Sequence, residues 1–140
     1  MDVRAVIDTN VVFAGLANRE GAPAKIFRRF FNGQFVWINS LPVFEEYEGV
    51  LSQSEKISSA RLLIFLHLLR KRSMLVEIPN QLHACKDPDD DKFLETAVLG
   101  SADFLVTKNL KHYPHKRFEN VRIVTVAKFL TELEKHSPAI

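Results

Sequence analysis

The chain has 140 residues, 46% of them hydrophobic, which is enough to bury the core of one domain. Its 19 lysines and arginines against 17 aspartates and glutamates leave a net charge of +2, so bulk charge argues neither for nor against a polyanionic partner. The single cysteine, Cys85, excludes an internal disulfide and a cysteine-built zinc site and suits a reducing, cytoplasmic setting. No stretch reaches the roughly 20 apolar residues that span a bilayer, and the opening MDVRAVIDTN mixes acid and base where a secretion signal would need an apolar run.

Residues 3–7 form a short β-branched run that reads as a strand buried on both faces and stops abruptly at Asp8. Residues 11–16 and 24–31 read as helices separated by Gly21 and Pro23, and residues 35–38 as a second strand. Pro42 suits a first helical turn, and Val43, Tyr47, Val50 and Leu51 then recur at helical spacing over 42–51. A further helix is expected over 59–69, and a strand over 74–78 closed by Pro79. The acidic run Asp87, Asp89, Asp90, Asp91 heads a helix with Phe93, Leu94, Ala97 and Val98 on one side. Strands over 104–106 and 122–124 and a helix over 127–133 complete the pattern. Strands alternating with helices predict an α/β fold, with a mostly parallel sheet of about five strands, helices on both faces, and one domain over residues 1–140.

In such sheets ligands collect beyond the carboxyl ends of the strands, where Asp8 falls. Taken alone, Asp8 reads equally well as the cap of the helix that follows. At 100° per residue Glu46 lies beside Val43 and Val50, whereas Glu45 and Glu48 point away from the core. A carboxylate at that border needs a partner, a metal or a raised pKa, unless it simply reaches out to water. Asp90 projects between Phe93, Leu94 and Ala97, along the apolar stripe, with Asp91 at its margin; helix capping accounts for part of the acidic run but not for an acid on that stripe. Thr107 and Asn109 emerge after the strand 104–106, where a hydroxyl and an amide are able to orient a metal-bound water but are more often turn formers. Three acids from different segments make a hard oxygen site suited to Mg²⁺ or Mn²⁺ rather than zinc, the arrangement used in metal-assisted phosphodiester hydrolysis.

Lys108, Lys111, His112, Lys116 and Arg117 are expected near this edge, where they would contact nucleic-acid phosphates; Arg28, Arg29, Arg70, Lys71 and Arg72 form further basic groups that suit ordinary solvated faces equally well. His112 and His115 have no third ligand at zinc spacing. Phe27, Phe30 and Phe31 follow a helical spacing that favours core or dimer packing over base stacking.

The segments VIDTNVVFAGL (6–16), FEEYEGVL (44–51), DPDDDKFLETA (87–97) and ADFLVTKNLKHYP (102–114), in that order and spacing, resemble the PIN-domain nucleases, especially the small VapC-like toxins of prokaryotic toxin–antitoxin systems. Position by position, the resemblance implies that Asp8, Glu46 and Asp90 are the catalytic, metal-binding acids. Many members carry a fourth aspartate where this chain has Asn109, which puts strong metal binding there in doubt and leaves Asp87, Asp91, Asn10 and Thr107 as secondary ligands or supports. It further implies a Rossmann-like fold, Mg²⁺ or Mn²⁺ dependence, endonucleolytic cleavage of RNA, a homodimer and a protein antitoxin.

Three other readings are opposed by particular residues. A phosphoacceptor receiver domain would pair acids after the first strand and place an aspartate after the third, where Pro79 and Asn80 stand, and a haloacid-dehalogenase-type phosphatase would need an acid at Asn10. A PIN fold that has lost catalysis and serves as a binding module is opposed by the joint presence of Asp8, Glu46 and Asp90.

Overall fold

The computed structural model describes residues 2–136. In chain order they form β1 (Arg4–Ile7), α1 (Thr9–Ala17), α2 (Ala22–Phe31), β2 (Val36–Asn39), α3 (Leu41–Leu51), α4 (Ser59–Arg72) and β3 (Met74–Leu75). The remainder is α5 (Pro88–Leu99), β4 (Phe104–Val106), a 3₁₀ turn at Leu110–His112, β5 (Arg117–Phe118), β6 (Val121–Val124) and α6 (Val126–His136). The sheet has six strands in the order β3-β2-β1-β4-β6-β5, parallel throughout except for the β5–β6 hairpin.

That order contains the device that positions the site. From β1 the chain winds outward through β2 to β3, then returns to lay β4 on the other side of β1. The switch point therefore falls between β1 and β4, whose ends are in register through Ile7 and Val106. Asp8 and Thr107, the next residue of each strand, emerge there side by side, and the Asp8 N–H donates to the Val106 carbonyl at 2.8 Å.

Both faces of the sheet are covered. Trp37 of β2 packs on Phe27 and Phe30 of α2, with centroids 6.1 and 5.3 Å apart, while Phe104 of β4 meets Phe129 of α6. Successive residues of a strand point to opposite faces. Ile38 accordingly faces the other way, onto the end of α5, where Gly100 leaves the helix. A Cβ on Gly100 would stand 2.4 Å from Ile38 Cγ2 and 2.9 Å from the Thr96 carbonyl oxygen, so the glycine lets α5 lie close against the sheet. Gly100→Ala is expected to cost about 1–3 kcal/mol, read as a lower urea midpoint at unchanged m-value.

Two expectations about the strands are corrected by the structure. The strand expected over 74–78 is reduced to Met74–Leu75 at the sheet edge, with one more backbone bond from Val76 to Asn39. Its neighbour β2 ends at Asn39, where Ser40 caps α3, so residues 77 and 78 have nothing to pair with. A sixth strand, β5, joins the expected set; it gives no signal in the sequence because two residues carry no periodicity and its turn places Glu119, rather than a glycine, at φ 51°. Of the two roles open to the aromatic face of α2, core packing is the one Phe27 and Phe30 take, against Trp37, Phe35 and Phe65. No helix among the described residues is long and apolar enough to cross a membrane.

Candidate active site

Asp8 is the centre of the site and is only 5% exposed. It occupies the cap position of α1, yet its side chain makes no capping bond. Its Oδ2 instead accepts from the Thr107 hydroxyl at 2.8 Å and the Tyr113 hydroxyl at 3.0 Å. The structure thereby decides between the two readings of Asp8: the carboxylate turns to the sheet edge, not to the helix. Burial raises its pKa above the ordinary aspartate value and the charge of Glu46 adds to this, with Thr107 and Tyr113 pulling in the opposite direction.

Asp90 stands in the first turn of α5 with its Oδ2 buried and without a hydrogen-bond partner. Its pKa is pushed up to about 6 by burial and then by the negative charge of Asp8; His112 pulls the other way, and Asp87 and Glu46 add smaller upward pushes. Glu46, half-buried on α3, is engaged at both oxygens: the Thr9 hydroxyl donates to Oε2, and Lys92 Nζ lies 2.7 Å from Oε1. The neighbours used to phase Glu46 are not all as expected, since Val50 is 48% exposed and the buried stripe of α3 runs through Val43, Phe44, Tyr47 and Leu51.

The three acids thus sense one another's charge at the switch point. They do not form a preformed cage: among the described residues no three histidine, cysteine, aspartate or glutamate side chains are grouped so as to hold an ion. The donors nevertheless fit a hard divalent cation through Asp8 and Asp90, since both are carboxylates and Asp90 Oδ2 is a buried acceptor with nothing to accept from.

The remaining candidates separate into supports and bystanders. Asp87 is exposed and caps α5 through the Asp89 N–H. Asp91, expected at the margin of the stripe, is 6% exposed, and its Oδ1 accepts from the backbone N–H groups of Ala84 and Cys85. Those two bonds outweigh the upward push of burial and hold its carboxyl below the usual value, which makes Asp91 the clamp of the loop before α5. Burial pushes the Cys85 thiol up to about 12, so it stays protonated at neutral pH. Asn10 accepts from the Lys108 N–H and so ties α1 to the loop after β4.

Asn109 does not reach the acids directly. Its Oδ1 accepts from the Lys111 N–H, so its amide group faces His112 Nε2 at 2.9 Å, and His112 Nδ1 in turn lies 3.6 Å from Asp90 Oδ2. Lys108, Lys111, His112 and Lys116 are exposed on the segment that follows β4. Arg117 is elsewhere, in register with Arg122 of β6 and lining a cavity with Arg4, Arg122 and His136, because the hairpin carries the chain back toward the amino end of the sheet.

Tyr113, Thr9 and Lys92 were missed by the sequence reading. Thr9 and Lys92 adjoin acidic residues in the chain, but their partner Glu46 lies on another helix, which phase along one helix does not show. Tyr113 gives no periodic signal, since only the 3₁₀ turn brings its hydroxyl back over Asp8. Tyr113→Phe removes a donor to a carboxylate and is expected to cost about 1–2 kcal/mol at about pH 8, a cost that shrinks as the pH falls and Asp8, whose pKa burial raises, takes up a proton; denaturant unfolding across a pH series reads the change.

A parallel sheet with acids gathered at its switch point is the arrangement of the PIN domain, and the PIN domain family model matches residues 4–111. The chain belongs to that family, whose members are generally nucleases. It is 26% identical over 145 residues to the uncharacterized protein MJ1680 of Methanocaldococcus jannaschii, an alignment that takes in 95% of this chain and 93% of that protein. Among solved structures it is similar to VapBC2 from Rickettsia felis, solved bound to a DNA fragment from their promoter, at 16% identity and a TM-score of 0.58. That match covers 88% of this chain and 98% of the other and bears on the fold.

Proposed function

We propose that the chain is a single PIN domain acting as a Mg²⁺- or Mn²⁺-dependent endoribonuclease, with Asp8 and Asp90 as the metal-holding acids. The observation that carries this reading is that buried Asp8, at the switch point of the sheet, bears its charge on Asp90, whose buried Oδ2 makes no hydrogen bond. When bound, the metal would activate a water and stabilise the leaving oxygen of a phosphodiester. Thr107 and Tyr113 hold one oxygen of Asp8 and so fix the direction of its carboxylate, and Asn109 acts through His112 on Asp90. Lys108, Lys111 and Lys116 supply exposed charge for the RNA backbone.

The likeness to VapBC2 supports a protein antitoxin as partner, and the resemblance to VapC-like toxins extends the proposal to a toxin role in the cytoplasm and to a homodimer. Purified protein incubated with a mixed RNA pool and Mg²⁺, Mn²⁺ or EDTA tests the core of the proposal. Cutting that requires metal and disappears in Asp90→Asn supports it. No cutting under any condition, with no metal-induced rise in melting temperature, leaves a PIN-fold binding module in its place.

A further inference from the structure

Glu46 is the acid whose environment departs most from that of an open metal ligand. Its Oε1 is met by Lys92 Nζ at 2.7 Å, and its Oε2 is taken by the Thr9 hydroxyl. The ammonium is held a second time, by the Asp89 carbonyl at 2.9 Å. The pair bridges α3 and α5 with side chains only 21% and 19% exposed, so water screens it far less than a surface ion pair. A flexible lysine fixed by two acceptors beside the acids is a built-in cation.

The charge count gives this placement a consequence. Asp8, Glu46 and Asp90 carry three negative charges when ionised, and Lys92 returns one positive charge, leaving two for a metal to balance. The neighbouring acids are turned to other tasks, Asp91 to two backbone N–H groups and Asp87 to the cap of α5 from an exposed position, so that Asp87 reaches Asp90 only as a smaller charge than Asp8. A two-metal nuclease places two divalent ions about 4 Å apart on such a cluster. A second ion on this cluster would have to draw on Glu46, which already has its cation in Lys92.

We infer that Lys92 stands in for a second metal: the site takes one divalent ion on Asp8 and Asp90, and the Lys92 ammonium neutralises Glu46. The inference rests on the metal-site reading above and adds its stoichiometry and a positioning residue for Glu46. It also accounts for Glu46 lacking the unpartnered oxygen that Asp90 presents.

Calorimetric titration of the full chain with Mn²⁺ alone, in the absence of RNA, tests it. The wild type is expected to bind one ion per chain, and Lys92→Arg, which keeps the charge, to do the same. Lys92→Met unmasks Glu46 and is expected to bind Mn²⁺ about ten-fold more tightly or to take a second ion, because a repelling charge has left the site. Two ions per wild-type chain overturn the inference and leave the nuclease reading standing, as does Mn²⁺ binding by Lys92→Met that is unchanged or weaker. Absence of Mn²⁺ binding in every variant overturns both. The wild-type stoichiometry decides the matter even if Lys92→Met does not fold.

Discussion

Asp90→Asn is expected to abolish metal-dependent RNA cleavage, by about a thousand-fold or more, while making the metal-free protein more stable. The two effects have one cause. Asp90 is aimed into a place where Asp8 and Glu46 already put negative charge, and its Oδ2 makes no hydrogen bond, with His112 at 3.6 Å offsetting only part of the push. An amide of the same shape removes the charge that a metal needs and the self-repulsion that its absence leaves behind.

The pH dependence separates this from a packing effect. The carboxyl of Asp90 titrates at about 6 in the folded chain, against about 3.9 in an unfolded one. Between those values the folded state keeps a proton that the unfolded state has released. The contribution of Asp90 to stability is therefore fully present below about pH 4 and is lost as pH rises through about 6, a change on the order of 2 kcal/mol. Asp90→Asn lacks this titration, so its advantage over the wild type should be small near pH 4 and reach roughly 5 °C in melting temperature near pH 8 without metal. Saturating Mn²⁺ should reverse the order, because only the wild type retains the ligand. A variant that is less stable than the wild type at both pH values would show that Asp90 serves the cap of α5 rather than a metal.

Much of this arrangement is legible in the sequence because it is written in short-range patterns. The run ending at Asp8 declares a buried strand and its carboxyl end, and helical phase alone puts Glu46 and Asp90 on inward-facing borders. What is not legible depends on contacts between distant segments. Asp91 appears as one more acid in a row, and only the loop at Ala84 and Cys85 reveals it as a backbone clamp. Arg117 is near Lys111 in sequence but is carried to the opposite end of the sheet by a two-residue strand that no periodicity announces. Lys92 lies two residues from Asp90, yet its bond is to Glu46 on another helix. A pattern read along one helix cannot show that the charge of one acid is cancelled across the gap to another.

Trp37→Ala is expected to cost about 3–5 kcal/mol, the largest stability loss of any single truncation proposed for this chain. Trp37 is fully buried in β2, with the rings of Phe27, Phe30, Phe35, Tyr47 and Phe65 at centroid distances of 5.3 to 6.4 Å. Residues from α2, α3 and α4 converge on it, so the space left by truncation cannot be closed by moving one element alone. A domain with a total stability of about 5–15 kcal/mol loses a large part of it. The effect should also reach the metal. Tyr47 packs edge-on against Trp37, and its hydroxyl donates to the carbonyl of Ile7, the residue that ends β1 immediately before Asp8. Loosening Tyr47 therefore frees the strand end that presents the carboxylate, and Mn²⁺ should bind the variant more weakly even where it is still folded. The chain has one tryptophan, so unfolding is followed by circular dichroism rather than fluorescence. Trp37→Phe, which keeps a ring in the cluster, should lose less than half as much and bind Mn²⁺ nearly as the wild type does. A loss below about 1 kcal/mol in Trp37→Ala would mean that the aromatic cluster is not the keystone of this face, and an unchanged Mn²⁺ affinity would break the proposed link from Trp37 through Tyr47 to Asp8.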